Sequence, residues 1–542
     1  MRKEENSYLY GFAITMKKFR IISLILVLVL AVGIFAGCGK KTAKEEGSKK
    51  IVWVVVGTEA ADNPEVFSLF NEKLEEKTGY TVEFQYIDQT QYDLKFAAGD
   101  NFDLILCPDW LGYWQNASKG AFMELTEEDF AEYTPYIWEL GKEQLNAAMF
   151  EGKYYGIPGL KKVTPNRTLV ARGDIMDKLG IERLDTIDDV DAYLTGVAEL
   201  NKTGEINIVP YNSPGNAPWM IFSMWASDWG WAAPGSLSYG GHFYYEIFDD
   251  KQQIFLAVDK PEVKHYSEVV KRWYDTGVFS KSILSNTTSA EESYRNGKSA
   301  FAWTGSPSSA NVLYNDLKKI EGADKWDTRF YSMYSNFQKT YNYLSTAVAV
   351  SATSKNKVNS LKLINTLYED EELYKLIIHG IEGKHYEVTE SGEYIPKSEN
   401  YIGPSLGIEN QKYQFPTKYD YPYALDLVAE MEAIAVSDPT VNCPIQSEGD
   451  AASLKVKMDD IFKEYSQPRM YGAVDSVEKA LKREKDALVV AGVDKYVKVV
   501  QAQVDEYVET HPEAMANLKK DIKRAQDYKK ANPTKVDPRD YK

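Results

Sequence analysis

An acidic and an aromatic residue follow one of the most apolar segments of the chain. Asp109 and Trp110 come directly after the apolar residues 102–107, and Trp114 lies four residues beyond Trp110. Sugar rings have apolar C–H faces and a belt of hydroxyls, so a sugar site needs flat aromatic rings beside carboxylates and amides. The pattern indicates that Asp109 accepts hydroxyl hydrogen bonds while Trp110 or Trp114 stacks on a ring. The alternative is that both indoles, at this helical spacing, cover a contact between a helix and the core.

Tryptophans also cluster in a second segment. Four of the eleven tryptophans lie within residues 219–231, at positions 219, 225, 229 and 231. A buried indole N–H needs a hydrogen-bond partner, so a core seldom holds four indoles so close together. We therefore expect some of these rings to face a cleft, with Trp219 as the first candidate. Asn216 lies just before it and can exchange hydrogen bonds with a sugar hydroxyl.

Two further positions place polar or aromatic side chains at an expected strand end. Thr58 and Glu59 follow an apolar run near the start of the mature chain. Trp303 and Ser306 flank a glycine, which lets the backbone approach a ligand closely. We expect all four side chains at the same cleft. Burial in the core is the alternative for Trp303.

Sequence patterns of common enzymes and metal sites are absent. The chain has no Gly-x-Ser-x-Gly turn, no Gly-x-x-x-x-Gly-Lys-Ser/Thr phosphate loop and no His-Glu-x-x-His zinc motif. Its five histidines are scattered, and only His379 and His385 approach the spacing of metal ligands. Carboxylate pairs that could serve a glycosidase arise by chance among 80 acidic residues. We predict no catalytic residue, no metal and no cofactor.

The elements around the candidate residues alternate between strands and helices. Apolar β-branched residues at 51–56 predict a strand buried on both faces, and residues 64–77 carry apolar side chains at helical spacing. A strand at 81–87, a helix at 91–98 and a strand at 102–106 follow. This alternation predicts a parallel sheet covered by helices, whose ligands lie at the carboxyl ends of the strands. The candidate residues after the first and third strands fall at that edge.

The N-terminus has the features of an export signal. A basic segment precedes the apolar residues 21–35, a run too short to span a membrane, which needs about 20 residues. The run leads into Phe-Ala-Gly-Cys, which resembles a bacterial lipobox. This implies that residues 1–37 are removed, that the Cys38 thiol takes a diacylglycerol, and that residues 38–50 form a lipidated tether. A retained anchor and ordinary cleavage are the alternatives, and Met16 is an alternative start of translation.

The remaining chain is strongly acidic and poor in cysteine. The formal net charge of the whole sequence is −17, and the N-terminal signal contains more basic than acidic side chains. Nucleic acid and anionic lipid are therefore poor partners. Three cysteines are too few for a scaffold held by disulfides. We expect Cys107, within an apolar run, to be a buried free thiol, and a disulfide with Cys443 is the alternative.

Several motifs recur in the order typical of one family. Residues 99–105, GDNFDLI, followed by residues 117–122, ASKGAF, resemble a strand and the element after it in carbohydrate-type solute-binding proteins of ABC importers. The segments EGKYYGIP at 151–158 and VAVSATSKN at 348–356 match further landmarks of that family. Asn101 departs from the pattern, because the family usually has proline there.

This resemblance implies an α/β protein with the bilobed periplasmic-binding-protein fold of type II, in which two α/β lobes enclose a ligand cleft. The first lobe is expected at residues 51–163, with 328–362 returning to it. The second lobe is expected at 164–327, with 363–470 returning to it. Residues 471–542 resemble the helical extension of longer members, and spaced apolar residues among dense charges indicate amphipathic helices packed on the second lobe.

The same resemblance implies a function and partners. It implies a monomer that captures an extracellular oligosaccharide between closing lobes and delivers it to the permease subunits of an ABC importer. The protein is expected at the outer face of the bacterial cell membrane, in contact with it only through the lipid. Trp219 takes the position of an aromatic residue that stacks on sugar in the maltodextrin-binding branch of the family.

Two other functions are consistent with the sequence. The same fold can bind a peptide or an amine, since aromatic boxes also hold cations, although the cluster of indoles favours sugar. A surface glycoside hydrolase or lyase is the second alternative. An assay for new reducing ends separates hydrolysis from binding, because a binding protein creates none.

Overall fold

The computed structural model describes residues 49–541, apart from 162–166, 216–217, 238–241, 321, 335, 341, 399, 444, 446–449 and 534. Within these residues the chain forms two lobes, each a β-sheet covered by helices, followed by a group of C-terminal helices. The α/β architecture with two lobes agrees with the prediction from sequence. No helix in the described part of the chain is long and apolar enough to cross a membrane.

The first sheet forms around the apolar strand at the start of the described chain. Ile51 and Trp53 point into one core cluster and Val54 into another on the opposite face, because alternate side chains of a strand face opposite sides. Three parallel strands are joined by two that run antiparallel to their neighbours. In spatial order the strands are Thr81–Ile87, Lys50–Val56, Leu104–Leu106, Ala347–Val350 and Ile157–Pro158.

The second sheet has four strands and a core of its own. Its first three strands pair antiparallel, and its last two pair parallel. Val170, Phe301 and Phe330 lie in this core with less than 2% of their surface exposed. In spatial order the strands are Thr328–Ser332, Thr168–Arg172, Ser299–Thr304 and Val209–Tyr211.

Shorter strands and the helices complete the two lobes. One small sheet has three strands, in the order Phe255–Leu256, Phe243–Glu246 and Trp231–Ala232. Three further sheets have two strands each: Gln338–Lys339 with Ala435–Val436, Tyr386–Val388 with Tyr394–Pro396, and Met149–Phe150 with Lys153–Tyr154. The helices before residue 300 are Asn63–Thr78, Tyr92–Ala97, Tyr113–Ser118, Glu127–Tyr133, Pro135–Leu140, Lys142–Ala147, Gly173–Leu179, Ile187–Lys202, Trp219–Asp228, Pro261–Thr276 and Ala290–Arg295. The later helices of the lobes are Pro307–Leu317, Lys357–Glu369, Glu371–His379, Ala424–Ala433, Asp450–Ile461 and Gln467–Met470.

The chain passes between the lobes three times. Each passage is located where successive residues stop belonging to the sheet and core of one lobe and begin to belong to those of the other. These places are residues 159–167, 333–346 and 414–420. The second passage, which we call the connecting segment, runs from the second sheet back to the strand Ala347–Val350 of the first.

One predicted lobe boundary differs from the structure. Residues 363–413, expected in the second lobe, contribute Leu363, Leu376 and Tyr413 to the core of the first. The reason is local, since the helix Lys357–Glu369 directly follows a strand of the first sheet and packs on neighbouring first-lobe helices. An amphipathic pattern shows that a helix has a buried face but not which sheet covers it.

Three helices at the end of the chain form the C-terminal helical region: Val477–Ala491, Val493–Thr510 and Pro512–Ala531. Leu488, Val500 and Val504 pack in one cluster with Phe243 of the second lobe. A buried ion pair joins the same two parts, because Arg469 Nε donates to Glu484 Oε2 at 2.6 Å.

Candidate functional site

The carboxyl ends of the parallel strands meet at one edge of the first sheet, as the sequence predicts. Gly57, just past the first strand, donates its N–H to the carbonyl of Ile87 at 2.9 Å. A cavity of about 420 Å³ opens at this edge. Its lining residues are Val56, Gly57, Asp88, Gln89, Leu106, Trp110, Ser345, Thr346 and Pro404 to Ile408. The cavity therefore joins three strand ends to the connecting segment.

Trp110 presents its ring to this cavity and to solvent. It is 49% exposed, whereas Trp114 is buried at 5%. The indole is held in place, because its Nε1–H donates to the carbonyl of Ser345 at 3.0 Å. A short turn over Asp109–Leu111, ended by Gly112 with φ of 79°, sets this orientation. An exposed, fixed ring suits stacking, and the core contact considered for both tryptophans is made by Trp114.

Asp109 links its own loop to the connecting segment through both carboxylate oxygens. One carboxylate oxygen accepts from the backbone N–H of Trp110 at 2.8 Å, and the other accepts from the Asn342 side chain at 2.6 Å. Burial raises the pKa of the Asp109 carboxyl, while the hydrogen bonds from Asn342 and Trp110 act in the opposite direction. Both oxygens already have partners, so Asp109 ties the loop to the connecting segment and contacts a ligand only through remaining lone pairs.

The other first-lobe candidates lie outside the cavities. Thr58 and Glu59 are exposed after the strand end, beyond Gly57, whose φ of 137° turns the chain outwards. Neither side chain lines the cavity of about 420 Å³. Asp109 is not among the lining residues of either cavity.

Of the second-lobe candidates, Trp303 and Ser306 are described. Trp303 is half-buried on the central strand Ser299–Thr304 and packs against the second-lobe core. Its Nε1 is buried without a hydrogen-bond partner in the described part of the chain. Ser306 caps the helix Pro307–Leu317, since its Oγ accepts from the backbone N–H of Ser309 at 3.1 Å.

Of the four clustered tryptophans, two lie in the core, Trp229 is partly buried against that core, and the side chain of Trp219 is not described. Asn216 and Cys38 lie outside the described residues, and of Trp219 only the backbone is described, as the first residue of a helix. Trp225 and Trp231 are buried at 4% and 5%, in the second-lobe core. The expectation that indoles here face a cleft is therefore wrong for these two, because aromatic neighbours cover their rings.

A larger cavity, of about 1210 Å³, was not predicted. It lies between the first lobe on one side and the C-terminal helical region on the other, and eight residues between 437 and 454 also line it. Residues from the helix Lys142–Ala147 and from the hairpin at 149–154 line one wall, and residues from Val493–Thr510 line the other. Tyr343 of the connecting segment also lines it, and its hydroxyl donates to Glu143 Oε1 at 3.0 Å. Burial and the charge of Glu143 raise the pKa of Tyr343.

One local feature of the structure marks the larger cavity. Glu151 and Gly152 form the two-residue turn of the hairpin, with φ of 50° and 75°. Such turns favour asparagine or glycine at the first position, since other residues are strained in the left-handed region. Glu151 is the one non-glycine residue with positive φ in the described chain, and it lines this cavity. The geometry of the turn therefore does not favour glutamate at this position.

The two histidines whose spacing approaches that of metal ligands contact different groups. His385 Nδ1 accepts from the backbone N–H of Ile381 at 2.8 Å, and its Nε2 lies 3.2 Å from Asp62. His379 packs among aromatic rings, and burial with the nearby Lys375 lowers its pKa to about 4. No group of three or more potential metal ligands occurs among the described residues.

Both described cysteines are buried and free, as expected for Cys107. Burial raises the pKa of the Cys107 thiol well above its ordinary value. The disulfide considered between Cys107 and Cys443 is therefore absent from the described structure.

Comparison with known proteins gives a consistent result. Residues 70–380, more than half of the chain, match the family described as "Bacterial extracellular solute-binding protein". A carbohydrate ABC transporter substrate-binding protein of Streptococcus pneumoniae serotype 4 (strain ATCC BAA-334 / TIGR4) is 24% identical over 377 residues, which are 68% of this chain and 72% of that protein.

Solved structures share the fold over most of the chain. The N-glycan transport solute binding protein (NgtS) from Streptococcus pneumoniae, in complex with Man1GlcNAc, superposes with a TM-score of 0.65 at 18% identity. The match covers 85% of this chain and 99% of NgtS. An extracellular solute-binding protein from Bifidobacterium longum subsp. infantis gives a TM-score of 0.60 at 16% identity, over 86% of this chain and all of that one.

Proposed function

Because this chain belongs to the bacterial extracellular solute-binding proteins, we propose that it is the component of an ABC importer that captures an extracellular oligosaccharide. The observation that carries the proposal is Trp110, a half-exposed indole held by a hydrogen bond beside a cavity of mixed polar and apolar lining at the strand ends. The name of the related streptococcal carbohydrate-binding protein supports the choice of ligand, as does the N-glycan fragment bound by NgtS.

In this proposal the ligand lies between the lobes and draws them together. Stacking on Trp110, hydroxyl hydrogen bonds and the release of water provide the binding energy. Asp109 and Trp110 both contact the connecting segment, so occupancy of the cavity and the angle between the lobes are coupled. The remaining proposed ligand contacts are Thr58, Glu59, Asn216, Trp219, Trp303 and Ser306.

The proposal includes an anchor and partners. The protein acts as a monomer at the outer face of the cell membrane, held there by a lipid on Cys38, and passes its cargo to the permease subunits. The acidic charge of the chain supports contact with the membrane through the lipid rather than through its surface.

The cognate oligosaccharide is expected to stabilise the fold, because it binds the native state and not the unfolded chain. At a ligand concentration about one hundred times Kd, the free energy of unfolding should rise by roughly 2.7 kcal/mol. Thermal unfolding of the chain from Lys49 onward, with a panel of plant, host and storage glycans, measures this. A panel without effect, together with a shift by a peptide or amine library, contradicts the sugar assignment.

Replacement of Cys38 tests the anchor. Cys38→Ala should leave the protein unprocessed or free in the medium, because the thiol that takes the lipid is gone. Fractionation of cells that express each form, followed by mass spectrometry of the mature N-terminus, measures this. An unmodified Cys38 in the natural protein contradicts the anchor, whereas Cys107→Ala serves as a cysteine control that should stay with the membrane.

A further inference from the structure

The larger cavity and the smaller one lie against neighbouring residues of the connecting segment. Tyr343 lines the larger cavity, while Ser345 and Thr346 line the smaller. Residues two apart in a chain are separated by about 7 Å at most. A ligand beside Trp110 has to extend past Tyr343 to reach the larger cavity, whose far wall is formed by the C-terminal helical region.

The far wall carries groups that suit a sugar chain. Tyr507 and His511 are partly exposed and stack, with ring centroids 4.1 Å apart and planes 14° from parallel. Gln503 lies one helical turn before Tyr507, and Asn517 follows on the next helix. Flat rings beside amides are the combination that sugar C–H faces and hydroxyls require.

The charge of the lining is one-sided. Two lysines, Lys142 and Lys495, line the larger cavity, and Lys142 Nζ lies 4.7 Å from the centre of the Trp138 ring. The lining carboxylates are Glu127, Glu143, Glu151, Asp438, Glu506 and Glu513. An excess of negative charge in a cleft repels anions and is neutral towards uncharged sugars.

Glu151 brings a carboxylate to this lining in an unfavourable backbone conformation. Its left-handed backbone is unfavourable for glutamate, and asparagine suits this turn better. Residues held in strained conformations concentrate at functional sites. Here the strained residue carries one of the lining carboxylates.

We propose that the larger cavity is a second carbohydrate subsite, which takes the distal units of a neutral oligosaccharide and rejects chains that carry carboxylates there. This inference rests on the proposed function, because it extends the same ligand from the first cavity into the second. The C-terminal helical region thereby becomes part of the binding site.

The first test compares chain lengths. Neutral manno-, malto- and xylo-oligosaccharides, each as a disaccharide and a hexasaccharide, are titrated calorimetrically into the chain from Lys49 onward. Tyr507→Ala should weaken the best hexasaccharide about tenfold and leave its disaccharide within about twofold, as loss of one aromatic contact implies. Gln503→Ala should act in the same direction. Tyr528→Ala, a partly exposed tyrosine of the same region away from the cavity, is the matched control.

The second test concerns charge. The uronate form of that hexasaccharide should bind at least about tenfold more weakly than the neutral form, because it meets the excess carboxylates. The double substitution Glu506→Gln/Glu513→Gln, or added salt, should narrow this difference. Glu151→Asn should raise the melting temperature and also narrow the difference in affinity between the neutral and the uronate hexasaccharide. A purely structural role of Glu151 does not produce this combination.

The outcomes separate the two proposals. If no glycan binds the wild-type chain, the proposed function fails. If glycans bind through Trp110 but Tyr507→Ala and Gln503→Ala leave the affinity of every chain length unchanged, the second subsite fails while the function stands. Equal binding of neutral and uronate chains overturns the charge selection.

Discussion

Arg469→Met is expected to lower the free energy of unfolding by about 3–5 kcal/mol, because it leaves a buried carboxylate without its cation. Arg469 and Glu484 are 2% and 1% exposed and share two hydrogen bonds, at 2.6 and 3.2 Å. Ser466 and Ser267 complete the network around them. Denaturant unfolding, followed by circular dichroism, measures the loss.

The pH dependence should change sign in this variant. Burial alone raises the pKa of Glu484, but the charge of Arg469, its hydrogen bonds and the nearby His242, whose Nδ1 lies 3.5 Å from the carboxylate, outweigh burial and hold that pKa well below 4.5. The wild-type pair thus contributes stability at neutral pH that is lost as the pH falls below about 4.5. Without Arg469 the pKa of Glu484 rises, so the variant should gain stability as the pH falls from about 7 towards 5.

Two controls make this result specific. Lys482→Met removes one side of an exposed pair with Asp486 on the same helix, and a change below about 1 kcal/mol is expected. Arg469→Met/Glu484→Leu removes both charges and should recover most of the loss, since buried pairs replaced by apolar groups are often neutral. A loss below about 1 kcal/mol for Arg469→Met alone contradicts the prediction.

Trp110→Ala is expected to weaken oligosaccharide binding by about 1–3 kcal/mol, as central aromatic residues at binding sites do. The free energy of unfolding should change by less than about 1 kcal/mol, because the ring is 49% exposed and makes one hydrogen bond to the connecting segment. Calorimetric titration with the cognate glycan and thermal unfolding without ligand measure the two effects separately.

Trp114→Ala is the matched control for Trp110. This neighbouring indole is buried at 5% among Tyr113 and Phe150, so its removal should cost about 3–5 kcal/mol of stability. Trp110→Phe keeps a flat ring and loses the N–H, and it should retain most of the affinity. If Trp110→Ala binds every glycan as tightly as the wild type, the smaller cavity is not the sugar site.

The sequence predicted those features that depend on local pattern. The strand at 51–56 and the helix at 64–77 follow from apolar periodicity, and both appear within a residue or so of the expected bounds. The return of residues 363–413 to the first lobe could not be predicted, because amphipathic helices carry no label for the sheet they cover. Tryptophan count alone did not reveal that Trp225 and Trp231 are core residues.

The larger cavity escaped prediction for a different reason. Its walls come from residues near 150, near 440 and near 500, and nothing in these segments shows that they face one another. Twelve of its 29 lining residues carry charged or amide side chains, which are ordinary on a helix surface. Among these residues only Glu151 is unusual, because its backbone φ is positive, and a dihedral angle cannot be read from a residue type.

The three passages between the lobes limit the order in which the two sheets can form while the chain emerges with its N-terminus first. The strand Leu104–Leu106 lies between a strand that precedes it and Ala347–Val350, which is made more than two hundred residues later. Until residue 350 has emerged, that strand has an unpaired edge, and such edges attract other chains. The second sheet needs only residues 168–332, so it can close first. We therefore expect the first sheet to form only after most of the chain has followed, later than the second sheet.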